Sequence, residues 1–444
     1  MASAGTAAKA RWTVLVYLNG DNDLEPFALR DFHQMARVGS TPEVHVVTQF
    51  DRSGRFAATA PQWGRALRFR VEKGMEPRPE NALADLGEQN MADGAVLADF
   101  VRWGQEAFPA ERYALVIWDH GPNWRLAESH PVRGTVEEIR AYAAFRRRAG
   151  HQEAGRRAGR HGAASAATAG AVVPALPALR TVAGGLRYVS LDETSGDRLF
   201  IREVQDCLAG TRLDLIGFDA CLMATLETAY AMRGVAGVLV ASEELEAGDG
   251  WDYADWLRRL TDDPDMNAPA LGAALVASYR AAYQDADPAR TLSAVDLDRA
   301  ESLAVAIDAL ADALAARCDV APGEIADARR ACAPFAPGYG LHSVDLAHFC
   351  DEVAAATADA RLRDLASALA MRVRECVIAN FAGSERRGPF GASGLAVYFP
   401  ETRALFHTDP DRAGYSEGDA DGSVEFARRH RWGAFLRAYY ARVP

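Results

Sequence analysis

Two short apolar runs constrain this chain more than any other feature. Tyr113–Trp118 (YALVIW) passes directly into Asp119-His120-Gly121, and Leu213–Phe218 (LDLIGF) passes directly into Asp219-Ala220-Cys221. Runs of this length, apolar on both alternating faces and bounded by turn-forming residues, are expected as strands buried in a parallel sheet. Similar runs stand at Trp12–Leu18, Val44–Phe50 and Val238–Ala241. Helical spacing separates them, up to about Val38, from about Ala92 to Phe108, and from Ile201 to Leu208. Alternation of strand and helix predicts an α/β fold with a mostly parallel sheet sandwiched by helices. Arg65–Val71 alternates arginine with apolar residues, the pattern of an exposed hairpin strand.

In open parallel sheets, ligands bind beyond the carboxyl ends of the strands. Here two such ends carry a histidine and a cysteine. His120 can hold a proton near neutral pH. Leu222–Met232 has helical spacing, so Cys221 is expected at a helix N-terminus, where the dipole favours a thiolate. Together they make a Cys–His pair able to attack an acyl carbon. Gly121 lets its N–H approach a substrate carbonyl, and with the N–H of Cys221 it could form an oxyanion hole. Asp219 stands two residues before Cys221, on the same strand face and about 7 Å away. A carboxylate there would attract a guanidinium or ammonium group. Asp249, in the glycine-rich loop EAGDGW, could face the same pocket. Taken singly, each has a plainer reading: Cys221 as a small core residue, His120 as a turn residue, Asp219 as a helix cap, Asp249 as a turn residue. Asp21-Asn22-Asp23 reads as a helix N-cap, with calcium coordination as the alternative.

With 444 residues, 49% hydrophobic and 25% charged, the composition is that of a globular protein. A formal net charge of −12 argues against nucleic acid as a partner. The six cysteines show no CxxC pair, so neither a disulfide framework nor a zinc site is expected. The sequence has no signal-peptide pattern and no span-length apolar window, so no membrane partner is expected. A cytoplasmic location is the expectation, leaving export by another route open. Residues 1–10 read as a flexible tail, 11–264 as the domain with the Cys–His pair, and 265–444 as a helical α+β domain. Within the first domain, about 125–185 reads as a mobile insertion rich in Ala, Arg and Gly.

Read together, Tyr17–Glu25 (YLNGDNDLE), Ala114–Trp124 (ALVIWDHGPNW), Leu191–Leu199 (LDETSGDRL), Leu213–Tyr230 (LDLIGFDACLMATLETAY), Val240–Tyr253 (VASEELEAGDGWDY) and Gly394–Pro400 (GLAVYFP) resemble the clostripain family of cysteine peptidases, relatives of caspases, legumain and gingipains. The resemblance implies a caspase-like fold and cleavage of peptide or protein substrates after Arg or Lys. It implies His120 as general base, Cys221 as nucleophile, and Asp219, with Asp249, as substrate-binding acids. It also implies self-cleavage after a basic residue between the His and Cys segments. Arg146, Arg147, Arg148, Arg156, Arg157, Arg160, Arg180 and Arg187 are the candidates. No cofactor or metal is required in this picture, and calcium (Ca2+) stays open as an activator. A non-catalytic binding module on the same fold, or a cysteine-dependent amidase or transpeptidase, are the alternatives.

Overall fold

The computed structural model describes residues 9–53, 63–121, 188–336, 342–387, 391–408, 415 and 425–443. The expected insertion and all eight candidate cleavage sites lie outside the described residues. Thirteen strands are present among the described residues: β1 (Ala10–Gly20), β2 (Val44–Arg52), β3 (Ala66–Arg70), β4 (Ala84–Gly87), β5 (Ala110–Trp118), β6 (Tyr188–Asp192), β7 (Asp197–Phe200), β8 (Leu213–Asp219), β9 (Ala236–Ala241), β10 (Thr291–Asp296), β11 (Ser343–Asp345), β12 (Val377–Ala382) and β13 (Ala396–Tyr398). The helices that matter for the site are α1 (Glu25–Val38), α2 (Gly94–Ala107), α3 (Ile201–Cys207), α4 (Leu226–Met232), α5 (Tyr253–Asp262), α6 (Ala268–Tyr283) and α7 (Ala300–Cys318).

Nine strands form one sheet, in the order β12-β10-β9-β8-β5-β1-β2-β3-β4. The five central strands are parallel, and both edges are antiparallel. Period-2 alternation distributes their side chains between two cores. Leu15, Tyr17, Leu115, Ile117, Ile216, Phe218 and Leu239 point to the face covered by α2, α3, α4 and α7. Val14, Val16, Leu18, Val116, Leu215, Val238 and Val240 point to the face covered by α1, α5 and α6. Burying a side chain of this size stabilises the fold by roughly 1.5–3 kcal/mol, which explains why the central runs are apolar on both faces.

Two expectations need correction. Residues Ala66–Arg70 do not form an exposed strand: Leu67 and Phe69 are fully buried, and Arg68 donates to Gln49 (2.8 Å) and Asp99 (2.7 Å). The boundary at residue 264 does not separate the sheet either. β10 pairs with β9, and β12 pairs with β10, so the C-terminal part completes the sheet.

Candidate active site

The site begins at the register between β5 and β8, where Trp118 lies opposite Asp219. The ladder continues one step further, with the Asp119 N–H donating to the Asp219 carbonyl at 3.4 Å. His120-Gly121 and Ala220-Cys221 therefore leave the sheet side by side. Gly121 shows how close they come. A Cβ at that position would sit 2.5 Å from the Cys221 nitrogen and closer still to its carbonyl oxygen. Both are backbone atoms that cannot swing aside, so this approach requires glycine.

Cys221 is held differently from the expectation. The helix after it begins only at Leu226, capped by Thr225, whose hydroxyl accepts from the Thr228 N–H (3.2 Å). Cys221 is thus not at a helix N-terminus. With Leu222 it makes a turn, after which Met223–Thr225 runs beside Ser242–Glu246. The Leu222 N–H donates to the Glu244 carbonyl (3.1 Å) and the Ala224 N–H to the Ser242 carbonyl (2.8 Å). The Glu246 N–H then donates to Cys221 Sγ at 3.2 Å. Leu222 turns the chain at φ 65°, a left-handed conformation unusual for a residue other than glycine. On the other side Ala396 of β13 donates to the Ala224 carbonyl (2.9 Å), which gives the GLAVYFP segment its place beside the site.

His120 is buried, and its Nε2 donates to Asp23 Oδ1 at 2.7 Å. A carboxylate on Nε2 fixes the proton there and leaves Nδ1 as the nitrogen able to accept one. Asp119, next to it, ties four segments together. Its carboxylate accepts from Asn19 Nδ2 (2.7 Å), Asn22 Nδ2 (2.7 Å), Ser190 Oγ (2.8 Å), the Leu191 N–H (2.8 Å) and the His120 N–H (2.5 Å). Burial raises Asp119 to about 6 against those stabilising bonds. The three residues of Asp21-Asn22-Asp23 thus have separate partners, and the side-chain acceptor for the Leu24 N–H is Asn22 (2.9 Å).

Asp219 is buried behind Cys221, where its Oδ2 accepts from the Tyr253 hydroxyl (3.0 Å) and the Trp251 N–H (3.3 Å). Two further buried carboxyls stand with it. A methyl group on Gly250 would lie 3.1 Å from Oδ2 of both Asp219 and Asp31 of α1. Trp118 Nε1 and Gln34 Nε2 hold Asp31, each at 2.9 Å. Glu246 lies 3% exposed. Burial, then the like charge of Asp219, pushes both Asp31 and Glu246 well above the usual carboxylate range. Asp249 does not join this group: it is half exposed and ion-paired with Arg30. Sequence reasoning missed Asp31, Glu246 and Asp23. Glu246 and Asp23 carried a signal, as the first acid of the EAGDGW loop and as part of the Asp21-Asn22-Asp23 run, whereas Asp31 carried none.

The other five cysteines lie outside this constellation. Burial pushes Cys207 and Cys332 up to about 12 and Cys318 and Cys376 up to about 11, and raises Cys350 well above its usual value. A second acidic group lies at the carboxyl ends of β1 and β6, where carboxylate oxygens of Asp21, Glu88 and Asp192 come within 4.8 Å of one another.

The sequence pattern of the clostripain family matches residues 16–136 and 183–370, more than half of the chain. The chain belongs to the clostripain family. It is a cysteine peptidase of that family, with the α/β fold of the C11 proteases. It is 23% identical over 463 residues to a clostripain of Hathewaya histolytica, covering 89% of this chain and 76% of that protein. Among solved structures it resembles a secreted C11 cysteine protease of Bacteroides thetaiotaomicron in complex with an irreversible peptide inhibitor. That match has a TM-score of 0.56 at 16% identity and covers 97% of this chain and 99% of that one. An inactive zymogen C11 protease of Parabacteroides distasonis matches with a TM-score of 0.52 at 18% identity, over 89% of this chain and 93% of that one. At these identities the solved structures speak for the fold.

Proposed function

We propose that this clostripain-family peptidase is an endopeptidase that cuts after Arg or Lys, with Cys221 as nucleophile and His120 as base. The observation that supports the specificity is the buried acid group of Asp219, Glu246 and Asp31, in which Glu246 also donates its N–H to the Cys221 sulfur. Burial and the like charge of Asp219 make Asp31 and Glu246 hold protons they would otherwise lose. A guanidinium or ammonium group inserted among them exchanges that repulsion for charge-assisted hydrogen bonds. Asp249, paired with Arg30 near the surface, has at most an outer part in this pocket.

In the reaction, Cys221 Sγ attacks the carbonyl carbon after the basic residue and forms a thiohemiketal-like tetrahedral centre. The N–H groups of Gly121 and Cys221, brought together by the glycine contact, face the developing oxyanion. His120 takes the Cys221 thiol proton as the C–S bond forms and passes it to the departing amine as the C–N bond breaks, leaving a thioester. It then takes a proton from the water that attacks the thioester and returns it to the sulfur as the acid product leaves. The same chemistry acting on its own chain would cut after one of the arginines between 146 and 187 named above.

A panel of dye-labelled peptides with Arg, Lys, Asp or Ala before the scissile bond tests the reading, with Cys221→Ala as control. Cleavage confined to Arg and Lys, and absent from the variant, is the expected result. Equal cleavage of the Ala peptide would remove the pocket assignment. Intact-mass measurement of wild type and Cys221→Ala tests self-cleavage: an active wild type that remains one chain removes that part.

A further inference from the structure

We propose that Glu244, with Arg386 as its counter-ion, is a positioning residue that holds the Cys221–Leu222 turn and the hydrogen-bond donor to the Cys221 sulfur in place for attack. The inference rests on the reading of Cys221 as nucleophile.

Among the described residues, two that are not glycine have left-handed backbone, Leu222 at φ 65° and Ala336 at φ 44°. Such a conformation persists only where the surroundings over-determine it, and it gathers at functional sites. Both residues are tied to Glu244. The Leu222 N–H donates to the Glu244 carbonyl (3.1 Å), and the Ala336 N–H to both oxygens of the Glu244 carboxylate (3.0 and 3.3 Å). Leu222, Phe335 and Ala336 also pack with Cys221 in one apolar cluster. One side chain and its own backbone thus anchor two turns against the nucleophile.

The Glu244 carboxylate is buried, and its ion-pair partner is Arg386. The same guanidinium donates to the Pro334 carbonyl (3.3 Å) and lies over the Phe335 ring, 4.9 Å from its centroid. A buried pair of this kind is sensitive to the loss of either member, because the remaining charge is left uncompensated.

The rest of the segment is held as firmly. The N–H groups of Glu243 and Glu244 donate to the Thr291 hydroxyl on β10 (3.1 and 3.0 Å). The Leu245 N–H donates to the Glu244 carboxylate (2.9 Å), and the Leu245 carbonyl accepts from Arg290 (2.6 Å). The next N–H along the chain, that of Glu246, is the donor to Cys221 Sγ. A donor fixed in advance stabilises charge on the sulfur without having to reorganise. Release of the Glu244 carboxylate would free the segment at its centre and let that donor drift.

The test reads the thiol directly, as the rate at which iodoacetamide alkylates Cys221 in the full-length protein, followed by mass spectrometry of the peptide that carries it. Glu244→Gln and Arg386→Met, each checked for a kept fold by circular dichroism and thermal melting, should slow that alkylation by about tenfold or more. In steady-state assays with an Arg peptide, kcat should fall by a similar factor while KM changes little. Arg386→Lys, which keeps the cation, should recover most of both. Folded variants whose alkylation and kcat stay within about twofold of wild type would overturn the proposal. So would a rise in KM with kcat unchanged, which would make Glu244 a substrate-binding group. Alkylation of Cys221 in wild type no faster than that of the half-buried Cys207 would instead remove the nucleophile reading itself, so the two failures are distinguishable.

Discussion

His120 Nε2 donates to Asp23 Oδ1 at 2.7 Å, so the proposed base is oriented by a carboxylate from the turn after β1. Asp23→Asn should therefore leave the thiol in place yet lower kcat by about 10²-fold, the usual effect of a misplaced reacting group. KM should change little. The pH–rate profile should shift as the histidine loses its anionic neighbour. A kcat within twofold of wild type would show that this carboxylate is structural only.

Glu246 shares the buried space of Asp219, and its own N–H holds Cys221 Sγ at 3.2 Å. Glu246→Gln keeps the backbone donor and removes the charge. The ratio of kcat/KM for Arg over Ala peptides should fall by about tenfold or more, equal to about 1.4 kcal/mol or more of lost discrimination. Asp249→Asn, at the surface pair with Arg30, should change it far less. The reverse order in a steady-state comparison would relocate the pocket.

The raised carboxyls also give a pH dependence. Protons and the substrate's cation compete for Asp31 and Glu246, whose affinity for protons is increased by burial and by Asp219. KM for Arg peptides should fall as pH rises above the ordinary carboxylate range, with no matching fall for Ala peptides. A KM for Arg peptides that is flat from about pH 5 to 8 would argue against charged recognition.

Stability should run the other way. Asp119 at about 6 and Asp192 at about 7 lie above the unfolded value of 3.8. A carboxyl raised on folding contributes stability that is complete below the unfolded value and is lost as pH rises through the folded one. In chelator, stability measured by urea unfolding should decline between about pH 4 and 7. Asp192→Asn should flatten the upper part of that decline.

Gly121→Ala places a methyl group against the Cys221 backbone. Overpacking of this kind costs about 1–3 kcal/mol, readable in urea unfolding. Turnover should fall far more than stability, because the displaced atoms are those of the nucleophile's own peptide.

The central strands and the His and Cys at their ends were legible because each run is apolar on both faces, a local property. What the sequence left hidden was partnership. β10 looks like any short strand, and β12 follows without a break on the Ala-rich helix Ala360–Cys376, whose helical spacing reads on into it; only distant pairing places both in the main sheet. Cys221 was read as a helix start because LMATLETAYAM has helical spacing, but Thr225 is the residue that caps, and the chain from Met223 to it runs beside Ser242–Glu246. Asp249 looked like the pocket acid because its glycine-rich loop is conspicuous. Which acid of a loop turns inward depends on neighbours such as Arg30, and Asp23 and Asp31 join the site only through the folding of β1 and α1 over it.

β5 and β8 flank residues 122–187 in sequence and are hydrogen-bonded neighbours in the middle of the sheet. A peptide bond lost anywhere between them would leave histidine and cysteine on separate polypeptides, still zipped together by adjacent parallel strands and two shared cores. Such a molecule is in effect a split enzyme. Its halves, produced as two chains ending at residue 121 and beginning at residue 188, ought to find each other and reconstitute by complementation.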